Sequence, residues 1–232
     1  MVVNKPFPIG DIMVNPGQRV NISLPVADLY TSTSLSMPVQ VICGRKAGPV
    51  MFVSAAIHGD ELNGVEIVRR LLRLKVLKSI RGTLIAVPIV NVHGFLNQSR
   101  YLPDRRDLNR SFPGSAKGSV AGRLANTFFT QIVSKADYGI DLHTGAINRS
   151  NLPQIRGNLD DEKTLELASC FGVPVVINAN IRDNSLRACV ADSGVPVLIY
   201  EAGEALRFDE MCIKAGVRGV LNVMRAVGML PA

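Results

Sequence analysis

Apolar and polar positions along this chain follow two different periods. Short runs that are almost continuously apolar, such as VMFVSAAI at 50–57 and TLIAVPIV at 83–90, predict buried strands. Longer stretches with apolar residues at helical spacing, such as ELNGVEIVRRLLRL at 61–74, predict amphipathic helices. Because the two kinds of segment alternate, the pattern predicts a mixed, mostly parallel sheet covered by helices on both faces.

The predicted elements account for most of the chain after residue 35. Strands are predicted at 38–43, 50–57, 83–90, 137–142, 153–157, 174–179 and 195–200. Helices are predicted at 61–74, 119–135, 161–171, 184–192 and 208–228. Residues 1–35 form an irregular or strand-containing N-terminal segment, and 91–118 form a long loop of the kind that usually carries function. We expect one α/β domain over residues 1–232, with three layers in the order α/β/α.

Composition indicates an ordinary globular protein. Of the 232 residues 47% are hydrophobic and 19% are charged, and the mean hydropathy is +0.21. No apolar run approaches the roughly 20 residues of a membrane span, and the N-terminus has no basic start followed by an apolar core. The four cysteines show no C-x-x-C spacing. We therefore expect a cytoplasmic protein without a signal peptide or a membrane partner.

The charge raises the question of nucleic-acid binding. The formal net charge is +7 and the pI is about 9.5. However, the basic residues are spread out, there are only four tyrosines and no tryptophan for stacking, and no nucleic-acid motif is present. We predict no nucleic-acid partner; the alternative would show steeply salt-dependent association. The basic run RRLLRLKVLK at 69–78 is predicted to be a solvated helix face with its leucines turned inward.

Side chains that can bind a metal ion follow several of the predicted strands. His58 lies on the turn after the strand 50–57, and Glu61 lies on the first turn of the next helix. His143 ends another apolar strand, and the chain has only three histidines. Ligands of open α/β sheets bind beyond the carboxyl ends of the strands, so these groups should converge. Two imidazoles and a carboxylate can hold one zinc ion and leave a position for water. The competing interpretation is a set of hydrogen-bonded turn residues and a helix-dipole contact.

Two further groups are candidates at the same edge. Glu201 follows the buried run VPVLIY, where a partly desolvated carboxylate could act as general base and then acid. Its rival is Glu204, which the next loop could carry into solvent. His93 could bind a second metal, although a structural loop residue is the favoured interpretation.

The loop 91–118 contains a basic and polar cluster that is free to face a ligand. Its basic members are Arg100, Arg105, Arg106 and Arg110. A guanidinium matches a carboxylate through two parallel hydrogen bonds and can stabilise a developing oxyanion, so Arg100, Asn109 and Arg110 are candidate anion and oxyanion binders. Asp107 could accept the distal N–H of a ligating histidine. Solvated surface positions are the alternative for each of them.

No motif of covalent catalysis accompanies these residues. A nucleophile elbow, a P-loop, a G-x-G-x-x-G sequence and a Cys/His arrangement at suitable spacing are all missing from the sequence. The candidate chemistry is therefore direct attack by a metal-activated water.

Four ordered motifs, HGDELNG, RDLNRSFPG, DLHTG and YEAGE, resemble the succinylglutamate desuccinylase/aspartoacylase family. That family is related in fold to the zinc carboxypeptidases, and the resemblance runs from about residue 38 to the last predicted helix. It implies one Zn²⁺ per chain bound by His58, Glu61 and His143, with Glu201 activating water. It also implies that Arg100 polarises the scissile carbonyl. Further implied roles are substrate-carboxylate binding by Asn109 and Arg110, support of His58 by Asp107, and a weaker substrate contact by Arg156.

The chain departs from the family pattern in two ways. The spacing from Arg100 to DLNR is longer than in the aspartoacylase pattern, so Arg105 or Arg106 could take the place of Arg100. Family members usually carry a further C-terminal β-rich domain, whereas this sequence stops after its last predicted helix, so we expect that domain to be absent from it.

The resemblance implies a zinc-dependent hydrolase that cleaves the linear amide of a small anionic N-acyl amino acid. A metallocarboxypeptidase acting on peptides and a catalytically silent metal-binding module are the alternatives. A homo-oligomer is a further possibility that the sequence leaves open.

Overall fold

The computed structural model describes residues 2–28, 34–191 and 194–231. Within these ranges the strands are β1 (Phe7–Ile9), β2 (Ile12–Val14), β3 (Arg19–Asp28), β4 (Ser34–Cys43), β5 (Lys46–Ala55), β6 (Arg81–Val87), β7 (Tyr138–Gly145), β8 (Asn151–Gly157), β9 (Val175–Asn178) and β10 (Val197–Glu204). The α-helices are α1 (Asn63–Leu71), α2 (Val92–Leu96), α3 (Val120–Gln131), α4 (Glu162–Phe171), α5 (Leu186–Ala191) and α6 (Glu210–Ala226). Short 3₁₀ turns cover Lys75–Ser79, Leu108–Arg110 and Val133–Lys135.

Eight of these strands form one mixed sheet in the order β3-β4-β6-β5-β7-β10-β8-β9. The central strands β6, β5, β7 and β10 are parallel to one another, as are β8 and β9. The pairs β3–β4, β4–β6 and β10–β8 are antiparallel. The strands β1 and β2 form a separate hairpin.

Helices cover both faces of the sheet, and each face has its own apolar core. Alternate residues of β5 show why: Met51 and Val53 belong to the core under α1, α4 and α6, whereas Phe52 belongs to the core under α3 and α5. A strand buried on both faces needs apolar residues at every position, which explains the continuous run at 50–57. The predicted three-layer α/β/α fold is therefore confirmed.

Local sequence signals mark where several of the helices begin and where α4 ends. Ser119 caps α3, Asp161 caps α4 and Asp209 caps α6, each by accepting a hydrogen bond from a backbone N–H three residues on. Gly172 closes α4 in the left-handed conformation. Among the described residues, no helix is both long and apolar enough to cross a membrane.

Several predicted boundaries need correction. Glu61 precedes α1 rather than lying in its first turn, and both His143 and Glu201 lie inside strands rather than just after them. The predicted helices 61–74 and 119–135 are shorter α-helices that give way to 3₁₀ turns. The predicted loop 91–118 holds α2 and a 3₁₀ turn, because the side chains of Asn91 and Asp107 cap these short segments. The described part of the N-terminal segment contains strands. Residues 1 and 29–33 of that segment, and residue 192 of the predicted helix 184–192, lie outside the described residues.

Candidate active site

The C-terminal ends of β5 and β7 bring together residues that are far apart in sequence. The two strands are parallel neighbours in which Ala55 pairs with Leu142. His58 follows three residues after the end of β5, Glu61 follows on the same turn, and His143 comes directly after Leu142. The sheet register therefore places both histidines at one edge.

Glu61 bridges the two imidazoles. One carboxylate oxygen lies 2.7 Å from His58 Nδ1 and the other lies 2.8 Å from His143 Nδ1. The Thr144 backbone N–H also donates to this carboxylate, at 3.2 Å. All three side chains are buried, with 2–5% of each residue exposed. One ligand atom from each lies within 4.8 Å of the other two, which is close enough for a shared metal ion.

Two aspartates hold the opposite edges of the imidazole rings. Asp107 Oδ1 lies 3.2 Å from His58 Nε2, and Asp141 Oδ2 lies 2.6 Å from His143 Nε2. Ser54 donates a 2.7 Å hydrogen bond to the other oxygen of Asp141. A carboxylate on the distal nitrogen fixes the ring so that the other nitrogen faces inward, as in many metal sites.

Asp141 was missed in the sequence analysis, although a signal for it exists. In DLHTG the aspartate stands two residues before His143. Residues two apart on a strand share one face of the sheet, so their side chains can meet. The burial of Asp141, which is fully inaccessible to solvent, adds that it needs a polar partner.

Acidic and basic side chains alternate in this cluster, and each shifts the pKa of its neighbours. Burial would raise the pKa of Glu61, but the two adjacent imidazoles outweigh it and hold that pKa well below its usual value. Burial would also raise the pKa of Asp107. The nearby His58 and Arg100 outweigh burial and hold that pKa below its usual value. For His58 and His143 burial lowers the pKa, but the carboxylates around each ring raise it above the usual value. Glu61 is therefore an anion that can serve as a ligand.

Glu201 lies next to His143 in the sheet. The two residues are register partners in the parallel pair β10–β7. Three side chains donate to the Glu201 carboxylate: Asn151 at 2.9 Å, Arg156 at 3.1 Å and Gln154 at 3.4 Å. They come from β8, the neighbour of Glu201 on its other side.

Glu204, the rival of Glu201, is engaged elsewhere. Its carboxylate accepts a hydrogen bond from the backbone N–H of Asn148 at 2.9 Å and lies 3.3 Å from Arg207 Nε. It does not line the cavity described below. The sequence favours Glu201, because a residue at the end of a buried strand is held rigidly. The register of β10 places Glu201 opposite His143 and Glu204 opposite Gly145.

Arg100 lies beside the histidine cluster. Its guanidinium donates to Asp107 Oδ2 at 3.0 Å, and Nη1 lies 3.5 Å from Glu61 Oε1. Arg105 and Arg106, the other candidates for this position, are exposed and do not line the cavity. The backbone at Arg105 has a φ of +59°.

Asn109 and Arg110 occupy the 3₁₀ turn next to Asp107. Asn109 Oδ1 accepts the backbone N–H of Leu186, which joins this turn to the start of α5, and Asp107 accepts the N–H of Asn109 at 2.8 Å. The Arg110 guanidinium donates to the Asn109 carbonyl. Both side chains line the cavity.

These groups line one cavity of about 730 Å³. His58, Glu61, His143 and Glu201 all line its wall. Six arginines contribute to the wall: Arg100, Arg110, Arg149, Arg156, Arg182 and Arg187. Two carboxylates, those of Glu61 and Glu201, also line it, so positive charge is in excess. His93 does not line this cavity and is not part of the metal-binding group among the described residues.

Two further residues of HGDELNG, Gly59 and Asn63, hold this part of the fold together. A Cβ on Gly59 would lie 1.9 Å from the backbone carbon of Gly94, so the turn that carries His58 can approach α2 only without a side chain there. The buried Asn63 donates to the Ala202 carbonyl at 3.1 Å and accepts from the Asp209 N–H at 2.9 Å. It thereby joins the start of α1 to β10 and α6.

The chain has recognisable relatives. It is 29% identical over 182 residues to the N-alpha-acetyl-L-2,4-diaminobutyric acid deacetylase of Halomonas elongata. The aligned region covers 75% of this chain and 53% of that protein. The chain thus spans about half the length of this curated relative.

Solved structures match over most of the chain. A succinylglutamate desuccinylase/aspartoacylase from Rhodobacter sphaeroides has a TM-score of 0.83 at 27% identity, over 92% of this chain and 67% of that one. The product-bound ectoine utilization protein EutE (DoeB) from Ruegeria pomeroyi has a TM-score of 0.87 at 26% identity, over 99% and 73% respectively.

The sequence model of the succinylglutamate desuccinylase/aspartoacylase catalytic domain matches residues 47–227, which is well over half of the chain. The match contains all four motifs and all the cavity residues named above. The chain belongs to the succinylglutamate desuccinylase/aspartoacylase family.

Proposed function

We propose that this chain is the catalytic domain of a zinc-dependent amidohydrolase that cleaves the linear amide of an anionic N-acyl amino acid. The observation that carries the proposal is the meeting of His58, His143 and Glu61, in which one ligand atom from each residue lies within 4.8 Å of the other two. The Glu61 carboxylate lies against the Nδ1 atoms of both rings. The Halomonas elongata relative is a deacetylase of an N-acetyl amino acid, which supports the amide as the bond that is cleaved.

The donor set fits one zinc ion. Two imidazoles and a carboxylate are a common protein ligand set of catalytic zinc, which leaves a position for water or substrate. Asp107 and Asp141 occupy the Nε2 atoms, so the two Nδ1 atoms are the ones available to a metal. When bound, zinc supplies Lewis acidity, which polarises a carbonyl and makes water a nucleophile near neutral pH.

Glu201 is the proposed general base. The sheet register places Glu201 beside His143, one of the proposed metal ligands. The hydrogen-bond donors from β8 hold its carboxylate in one orientation. The carboxylate would take a proton from the attacking water and pass it to the nitrogen of the leaving amine. A base that is held by several hydrogen bonds needs little reorganisation in the transition state.

Arg100 and the turn at 107–110 are proposed to hold the substrate. Arg100 lies within 3.5 Å of Glu61, close enough to the cluster to stabilise negative charge that develops on the acyl oxygen. Asn109 and Arg110 would bind the α-carboxylate. Arg156 is proposed as a weaker contact, since Nη1 already binds Glu201 while its buried Nε has no hydrogen-bond partner among the described residues.

The excess of arginine in the cavity supports an anionic substrate. Of the two carboxylates that line the wall, Glu61 faces both histidines and Glu201 faces Arg156. Arg100 is paired with Asp107. The remaining arginines of the wall form no salt bridge among the described residues and retain positive charge that an anionic ligand can neutralise: Arg110, Arg149, Arg182 and Arg187. The four cysteines are free thiols, which supports the proposed cytoplasmic setting.

Metal analysis combined with a substrate panel tests the proposal. The purified chain should bind one zinc ion per molecule and should hydrolyse N-acetyl or N-succinyl amino acids faster than short peptides with a free C-terminus. Faster cleavage of the peptides would indicate a metallocarboxypeptidase instead. Zinc binding without hydrolysis of any amide would indicate a silent metal-binding module, and failure to bind zinc would refute the proposed site.

A further inference from the structure

A second cavity, of about 320 Å³, lies at the other end of the sheet. Its wall comes from the start of β3, the turn between β4 and β5, and the segment that follows α1. β5 runs from Lys46 beside this cavity to Ala55 beside the histidine cluster, a distance of about 30 Å for a ten-residue strand. The two cavities share no lining residue.

The rim of this cavity is cationic. Five basic side chains from three separate segments line it: Arg19, Arg45, Arg73, Lys75 and Lys78. No aspartate or glutamate is among the lining residues. Among the described residues none of the five forms a salt bridge, in contrast to Arg69 and Arg70 on the neighbouring helix, which bind Glu66. The positive charge is therefore uncompensated by the protein.

One of the five side chains, that of Arg19, is held in place by hydrogen bonds, and a second, that of Arg45, passes over Gly17. Arg19 donates through Nε to Gln40 at 2.8 Å and through Nη2 to the Leu72 carbonyl at 2.6 Å, so its guanidinium bridges β3 and the end of α1. Gly17 has a φ of +87°, and a Cβ there would lie 3.1 Å from Arg45 Nε. The glycine thus leaves the space that the Arg45 side chain crosses. Groups fixed before a ligand binds lose less conformational entropy when it does.

The floor of the cavity is apolar. Ile42, Leu77 and Ile80 line it and are buried in the core beneath α1. A ligand that matched this cavity would carry several negative charges for the rim and an apolar or aromatic body for the floor. The cavity volume is within the range of small-molecule sites.

We propose that this cavity binds an organic polyphosphate, meaning a di- or triphosphate attached to an apolar or aromatic group. Phosphate suits the rim better than a single carboxylate, because its oxygens point in several directions and the five cations surround the cavity from three segments. Guanidinium groups also bind phosphate through paired hydrogen bonds. The inference does not depend on the hydrolytic activity proposed above.

Calorimetric titration with three probes tests the proposed site. ATP should bind, inorganic tripolyphosphate should bind more weakly because it lacks the apolar body, and adenosine should show no measurable binding. The double variant Arg45→Gln/Arg73→Gln should weaken ATP binding at least tenfold. Both side chains are exposed, so the variant is expected to fold, which circular dichroism checks.

Two matched double variants remove the same charge elsewhere. Lys117→Gln/Arg123→Gln alters exposed positions outside both cavities, and Arg149→Gln/Arg182→Gln alters the larger, arginine-lined cavity. Each should change ATP affinity by less than twofold. An equal loss in the first control would mean diffuse attraction, and a loss confined to the second would place ATP in the other cavity; either result overturns the proposal.

Two further outcomes also overturn it. One is the absence of measurable ATP binding by the unaltered chain. The other is binding that requires oligonucleotides and strengthens with their length and with falling salt, which would indicate an extended nucleic-acid surface rather than a small-molecule site.

Discussion

Glu201 and His143 are direct register partners on adjacent parallel strands. Side chains that pair in this way point to the same face of the sheet, so the proposed general base stands one strand away from a proposed metal ligand. The same register places Gln154 of β8 on the far side of Glu201. Three neighbouring strands thus contribute one chemical group each at the same level.

Replacing Glu201 tests its proposed role. Glu201→Gln should retain zinc, since Glu201 is not one of the three proposed zinc ligands. It should lower kcat at least about a hundredfold, because the proton acceptor is lost. Glu204→Gln is the matched control and should keep near-normal turnover. Normal kcat in Glu201→Gln would contradict the assignment.

Asp141→Asn tests the support of His143. Asp141 contacts the Ser54 hydroxyl with one oxygen and the His143 ring with the other. An asparagine amide has one oxygen and no charge, so it should orient the His143 ring less well and make it less basic. Zinc affinity should fall about 10- to 100-fold, as is usual for such partners. Competition against a chelator measures the change. Ser54→Ala should cause a smaller loss; an unchanged affinity in both variants would show that Asp141 does not support the metal site.

Gly59→Ala tests the packing of the turn that carries His58. The new Cβ would meet the backbone at Gly94, which cannot move aside as a side chain could, so we expect destabilisation of about 1–3 kcal/mol together with weaker zinc binding. Gly122→Ala in α3 is the control, because its Cβ would meet nothing closer than 3.4 Å. Urea denaturation and metal analysis would compare the two; equal stability would contradict the clash.

Arg70→Gln tests the ion-pair network between α1 and α6. Arg70 Nε donates to Glu66 at 2.7 Å, and its Nη atoms donate to Glu210 at 2.9 and 2.8 Å. Hydrogen bonds from Arg69 and then from Arg70 hold the pKa of Glu66 at about 2, and the hydrogen bond from Arg70 holds the pKa of Glu210 at about 2.

Because both folded-state pKa values lie below the usual 4.5, the network stabilises the fold above about pH 4.5 and loses that contribution as the pH falls toward 2. Near neutral pH we expect Arg70→Gln to lower Tm by about 2 °C, since the groups are largely solvated. The difference from the parent should shrink in acid. Arg123→Gln should show no such pH-dependent difference, and a constant difference at every pH would contradict the network.

The order of strands and helices could be predicted from periodicity because burial on two faces and burial on one face leave different patterns. The continuous run around Phe52 and the helical spacing of Ile67 and Leu71 are local signals of that kind. The ends of the elements could not be predicted to the residue. Glu61 carries no local mark of whether it lies in a helix or before it, and His143 and Glu201 carry none of whether they lie inside or beyond a strand.

The amino-acid sequence by itself determined the α/β alternation, the family and the residue types able to bind a metal, since these depend on local pattern and motif order. Only the tertiary structure decided which groups meet. The pairing of β10 with β7 places Glu201, rather than Glu204, beside His143, and the loop after α2 places Arg100 within 3.5 Å of Glu61. The 2.6 Å contact between Asp141 and His143, and the gathering of basic side chains around the cavity at the far end of the sheet, are also seen only there. Distances between residues remote in sequence depend on strand register and loop path, which no local pattern encodes.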